Sequence, residues 1–178
     1  MNPARTGRGR PVTNWAVRVL MRRIEDGESR WGIPRWDLLA VLPDPDPPNG
    51  IERRLVHAQA GQHDFEWSGM RVPLFRDAAE SYWYNLVGRE PSLCVICRPG
   101  EDIDLEPFAV TANHDEAGAH METDDTVFRA PLPQEFLAPL EEFVMTHYEP
   151  AEPRKRRRRN WAAEASDDKG PRSGPAGD

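Results

Sequence analysis

The chain reads as an α+β domain: mostly antiparallel β-sheet, or a partly closed barrel, with one or two C-terminal helices and a disordered tail at each end. Three observations predict this. Short runs rich in β-branched and aromatic residues, several alternating at period two, dominate from Asn14 to about Thr111. The apolar spacing changes to three-four in the closing segment PQEFLAPLEEFVMTHYE, from Pro133 to Glu149. The order of strands first and helices last, without internal repeat or regular βαβ alternation, belongs to an antiparallel sheet with helices at one end.

Taken in order, residues 1–13 begin MNPARTGRGRPV, with three arginines and no apolar run. Residues 150–178 are charged and rich in Pro, Gly and Ser. Neither can bury enough apolar surface to offset the entropy of ordering, so both read as disordered tails around one folded domain, residues 14–149. In WAVRVLMRRI, Trp15, Val17, Val19 and Met21 share one face and Arg18 and Arg22 the other, the pattern of a half-buried strand. EDGES has turn composition, and RWDLLAVLP is a second strand, stopped by the proline run PDPDPPNG. IERRLVHAQ is a third. HDFEW and MRVPLFR read as a hairpin turning at Ser68-Gly69. In RDAAESYWYNLVG the first half suits one helical turn capped by Asp77, and the aromatic YWYNLV reads as strand. SLCVICR and EPFAVTA are further strands, and NHDEAGAHMET is a short helix. In the last helix Phe136, Leu140, Phe143, Val144 and His147 or Tyr148 form the stripe, Pro133 suits its first turn, and Pro139 predicts a kink or a later start.

The net charge of −7 hides an asymmetry. From Asn14 to Pro153 there are 26 Asp and Glu against 12 Arg and no Lys, and the basic run RKRRRR, Arg154 to Arg159, follows directly. An acidic body argues against a nucleic-acid-binding face on the fold itself. No apolar stretch is long enough to span a bilayer, and no secretory h-region follows the first basic residues, so the expected compartment is the cytoplasm.

The only two cysteines, Cys94 and Cys97, form a C-x-x-C pair inside PSLCVICRPGE. In a strand, residues three apart point to opposite faces with Cα atoms roughly 10 Å apart, too far for a disulfide and divergent for a shared metal. No second C-x-x-C completes a four-cysteine site, and no helix follows as in a thioredoxin-type motif. They read as ordinary buried thiols. His114 and His120 fall on different sides of a helix, while Glu116 and His120 share one. Nine acidic residues lie between Glu101 and Asp125 without Lys or Arg, which suits a solvated face better than a metal site. Phosphate loops, dinucleotide fingerprints and nucleophile elbows are absent from the sequence. No catalytic residue, metal or cofactor is therefore expected.

The most distinctive cluster is Glu80, Tyr82, Trp83, Tyr84, Asn85 and Leu86; at strand period Tyr82, Tyr84 and Leu86 share one face and Trp83 and Asn85 the other. It reads either as a sheet whose aromatic faces pack the core, with Asn85 bonding backbone at a turn, or as an aromatic platform with a hydrogen-bonding Asn and Glu for a peptide or planar ligand. Arg154, Lys155, Arg156, Arg157, Arg158 and Arg159 form the second candidate binding element, read as a solubility tail, a clamp for an acidic protein or a salt-sensitive contact for phosphate. Docking of this run on the acidic 101–125 region is a further reading.

The segments RVLMRRI, WDLLAVLP, LFRDAAESYWYNL, PSLCVICR and PLPQEFLAPLEEFVMTHYEP, with the basic run after them, resemble an uncharacterised proteobacterial family, a domain of unknown function. The resemblance covers Val17 to Arg159, and its E-x-Y-x-x-N-L pattern is matched by Glu80, Tyr82, Asn85 and Leu86. It implies a genomic setting beside molybdenum-dependent formate dehydrogenases and their accessory factors, and some relatives carry the label of molybdopterin-guanine dinucleotide biosynthesis. That label implies a Gly-rich nucleotide loop near the N-terminus, which this sequence lacks. The expected function is a non-catalytic accessory protein that assists maturation or assembly of a molybdenum formate dehydrogenase, its partner a dehydrogenase subunit or maturation factor. The alternatives are a nucleic-acid-associated or regulatory protein using the basic tail, and an enzyme of molybdopterin cofactor biosynthesis.

Overall fold

The computed structural model describes residues 9–25 and 32–150. The element order is β1 (Thr13–Ile24), β2 (Arg35–Pro43), β3 (Glu52–Gln59), β4 (Gln62–Leu74), α1 (Ala79–Val87), β5 (Ser92–Arg98), β6 (Glu106–Thr111), α2 (His114–Met121), β7 (Thr126–Pro131) and α3 (Gln134–His147). Among the described residues the strands form two antiparallel sheets, ordered β2-β1-β4-β3 and β6-β5-β7, and no closed barrel. The α+β class is as the sequence predicts. The expected turn at EDGES falls largely on residues 26–31, and the basic run on residues 151–178, both outside the described residues.

The core lies between the sheets, with β4 packed over β6 and β2 over β7. On β1, Val17, Val19 and Met21 are fully buried, and Trp15 is half-buried and stacks on Phe136 of α3 with ring centroids 4.6 Å apart. The alternate residues Arg18 and Arg22 lie on the open face and pair with β4: Arg22 reaches Asp64 at 2.7 and 2.8 Å, and Arg18 reaches Glu66 at 3.3 Å. In the second sheet β5 is the central strand, covered on both faces, which is why it is apolar without alternation. Leu93, Val95 and Cys97 face the inter-sheet core, while α2 packs on sheet β6-β5-β7.

Four expectations are corrected. Residues 62–74 form one strand, not a hairpin at Ser68-Gly69; the turn is at Ala60-Gly61, where Gly61 has φ +71° and Gln59 pairs with Gln62. Ser68-Gly69 instead makes a β-bulge, since Val17 pairs with Met70 but Val19 with Trp67. Gly69 takes φ +77°, and a Cβ there would collide with the carbonyl oxygen of Gly50. YWYNLV belongs to helix α1, and Asp77 lies in the 3-10 turn Arg76–Ala78 that leads into it. The segment TVFRAP, assigned no element from sequence, is β7. Helix α3 starts at Gln134 and runs through Pro139 rather than starting at it; α2 and α3 are the expected C-terminal helices, and α1 adds a third among the described residues.

Candidate functional site

Helix α1 divides the E-x-Y-x-x-N-L residues between the inside and the outside of the molecule. Positions 78, 82 and 85 fall on one helical face, so Ala78, Tyr82 and Asn85 are buried. The Tyr82 hydroxyl accepts from Phe75 N at 3.1 Å, and its ring meets Phe143 of α3 edge-on at 5.8 Å. Asn85, only 2% exposed, donates from Nδ2 to Ser92 O at 2.8 Å and Ala112 O at 2.9 Å and accepts from Ser92 N at 2.9 Å. One amide thus closes backbone groups of β5 and of the β6–α2 junction. Next to it Ser81 Oγ donates to Asn113 Oδ1 at 2.8 Å, and the same oxygen caps α2 by accepting from Asp115 N and Glu116 N.

The opposite face of α1 carries Glu80 and Tyr84, both exposed, and Trp83, half-buried. Trp83 meets Tyr84 edge-on at 5.0 Å and stacks on Tyr148 at 5.4 Å. Val87, 58% exposed, lies one turn further on the same side. Loss of hydration pushes the Tyr148 phenol up, with the charges of Glu80 and Tyr84 adding to it, which ties Glu80 to this cluster. So the structure keeps Trp83 and Glu80 together at the surface and withdraws Tyr82 and Asn85 from it. From sequence Tyr148 is readable only as the alternative to His147 at the end of the α3 stripe, not as a partner of Trp83. Arg154 to Arg159 begin six positions after Tyr148.

The other sequence candidates resolve as follows. Cys94 and Cys97 are free, buried and of opposite parity on β5. The Cys97 thiol lies 3.9 Å from Met21 Sδ, and burial pushes its pKa up to about 12; burial also raises Cys94. His114 Nε2 is 3.1 Å from Ser92 Oγ, whereas His120 Nδ1 is 2.8 Å from Asp125 Oδ2. The acidic 101–125 stretch is extensively paired: Asp102 with Arg53, Asp104 with Arg23 and Trp36, Asp125 with Arg98. Among the described residues no group of three or more His, Cys, Asp or Glu side chains is placed to hold a metal, and no helix is long and apolar enough to cross a membrane.

Two facing antiparallel sheets, a polar lock beneath α1 and an aromatic cluster above it define a small α+β domain with a surface apolar patch. The chain belongs to the family described as Protein of unknown function (DUF3305), which matches residues 16–158. No curated protein and no solved structure matches it.

Proposed function

We propose that the protein is a non-catalytic accessory factor that binds a subunit or maturation factor of a molybdenum-dependent formate dehydrogenase. The observation that carries a binding role is the Trp83–Tyr84–Tyr148 cluster at the point from which the chain continues into RKRRRR. Large aromatic side chains at a surface, beside a source of charge, are the usual anchors of protein interfaces. Six residues span at most about 20 Å, so the basic run starts within reach of a partner seated on α1. Its charge favours an acidic surface on that partner and speeds the encounter. The naming of the dehydrogenase rests on the family resemblance alone.

The test is a pull-down from a host expressing the dehydrogenase, with the full chain, residues 1–150, and Trp83→Ala/Tyr84→Ala compared. The full chain retains a dehydrogenase subunit or maturation factor. The double substitution weakens retention by about tenfold or more, as for interface anchors of about 2 kcal/mol. Truncation weakens retention and removes its salt dependence. Retention of nucleic acid instead, or of the dehydrogenase equally by all three proteins, overturns the reading.

A further inference from the structure

We infer that the chain's own first eight residues, MNPARTGR, lie as an extended strap in the cleft between β4 and β6 and pair with main-chain groups on its walls. The cleft separates two strand edges. β3 pairs with β4 only as far as Ser68, so β4 from Gly69 onward has no β3 neighbour, and β6 is itself an edge strand. Between them is a cavity of about 360 Å³ whose lining includes Met70, Arg71, Val110, Gly9 and Pro11. It shares no residue with the Trp83–Tyr84–Tyr148 cluster, and the inference does not depend on the partner proposed above.

Hydrogen-bond parity fixes which backbone groups are turned to the open side. In an antiparallel pair, opposed residues alternate between exchanging both main-chain bonds and pointing those groups away. Leu132 N donates to Pro91 O, so Leu93 and Val95 of β5 turn to β7, and Cys94 and Ile96 turn to β6. Val110, opposite Val95, therefore points its N–H and C=O away from β5. Arg71 on β4 is placed alike. Asp44 N donates to Ala16 O, which turns Ala16 to β2 and leaves its β4 partner Arg71 facing the open side. No described residue hydrogen-bonds to these main-chain groups of Arg71 or Val110. Arg71 is exposed and can use water, but Val110 is only 1% exposed, and main-chain groups so deeply placed require a partner.

An extended backbone offers a donor and an acceptor at once, and the nearest chain end provides one. Val12 N donates to Leu74 O at 2.8 Å, and from there the chain runs to Gly9 on the cavity wall. Residues 1–8 lie outside the described residues and join the fold at that point. Five of them extended reach about 17 Å, enough for a short strand. Phe75 and Glu116, also on the wall, already have further partners, which suits a segment of the chain held there better than a free ligand. Tethering raises the strap's effective concentration to about the millimolar range, so a few main-chain bonds suffice although MNPARTGR has no apolar run. The strap also closes two edges that would otherwise template pairing with another chain.

The test is NMR on the full chain, with amide hydrogen exchange compared against Arg5→Pro/Thr6→Pro and against a chain lacking residues 2–8. In the full chain, NOEs are expected from residues 4–8 to Val110 and Arg71. The Val110 amide is expected to exchange at least about tenfold more slowly than in either variant. The adjacent prolines remove donors of both parities and lie outside the described fold, so they decide the matter if the deletion does not fold. Random-coil shifts for residues 1–8 without those NOEs overturn the inference. So does equal exchange of Val110 in all three proteins: if slow, water or another group already covers the edge, and if fast, nothing does.

Discussion

Asn85 shows how one side chain can matter more than its aromatic neighbours. Its amide makes three hydrogen bonds to backbone groups of the buried residues Ser92 and Ala112. Replacement by Ala leaves two carbonyls and an N–H without these partners, so Asn85→Ala is expected to lower stability by about 2–4 kcal/mol in urea unfolding. Tyr84→Ala, one position away but 58% exposed, is expected to change stability by less than about 0.5 kcal/mol. A similar small loss from both would show that the Asn85 bonds contribute nothing net. The same contrast explains how the sequence was legible here. The bonding of Asn85 to backbone was readable from the residue type, whereas the separation of Tyr82 from Trp83 was not, because both are large aromatics and only the helical turn decides which points inward.

At the scale of elements, α1 and β4 are where local preference and tertiary demand diverge. YWYNLV has strand propensity, yet as a strand it could not bury Tyr82 and Asn85 on the face shared with Ala78. The three-four spacing 78-82-85 was present in the sequence but was obscured by aromatics on both faces. In β4 the Ser68-Gly69 dipeptide marks a backbone anomaly of the right place and the wrong kind, since a bulge and a tight turn both call for a glycine at positive φ. Gly69→Ala adds both the left-handed backbone cost and the collision with Gly50 O. It is expected to lose about 2–4 kcal/mol in thermal or urea unfolding. A loss no greater than about 0.5 kcal/mol would mean the bulge relaxes freely. The two buried cysteines were legible because a β-branched run fixes strand parity whatever surrounds it.

For the whole molecule, the β5–β6 connection acts as a clasp between the sheets. Asp102 pairs with Arg53 of β3, and Asp104 bridges Arg23 of β1 and the Trp36 indole of β2. The Arg53 guanidinium holds the Asp102 carboxyl low, and the Arg22 guanidinium does so for Asp64. Burial pushes Asp104 up, but its Trp36 and Arg23 bonds outweigh this and leave it lowered. Arg98 holds Asp125 well below the usual carboxylate range, with His120 assisting. A carboxylate depressed in the folded state stabilises fully above its unfolded pKa, about 3.9 for Asp, and that contribution is lost as pH falls through the folded value. The urea midpoint is therefore expected to hold from about pH 8 to 5 and to fall progressively below about pH 4. Asp102→Asn/Asp104→Asn is expected to be less stable at pH 7 and to show a shallower acid decline. An unchanged acid slope in that variant would remove the clasp from the account.

By itself the sequence determined the α+β class, the faces of β1, the bounds of β2, the parity of the cysteines and the helical stripe of α3. These depend on near-neighbour periodicity, which any segment carries within itself. Only the tertiary structure decided that α1 is a helix, that Glu80 and Trp83 stay at the surface while Tyr82 and Asn85 do not, and that Tyr148 joins Trp83. It also engaged the acidic 101–125 stretch with arginines from three other strands. These outcomes depend on contacts between residues tens of positions apart. What decides them is which buried polar groups find partners and which strand edges are left open, and periodicity along the chain carries no record of either.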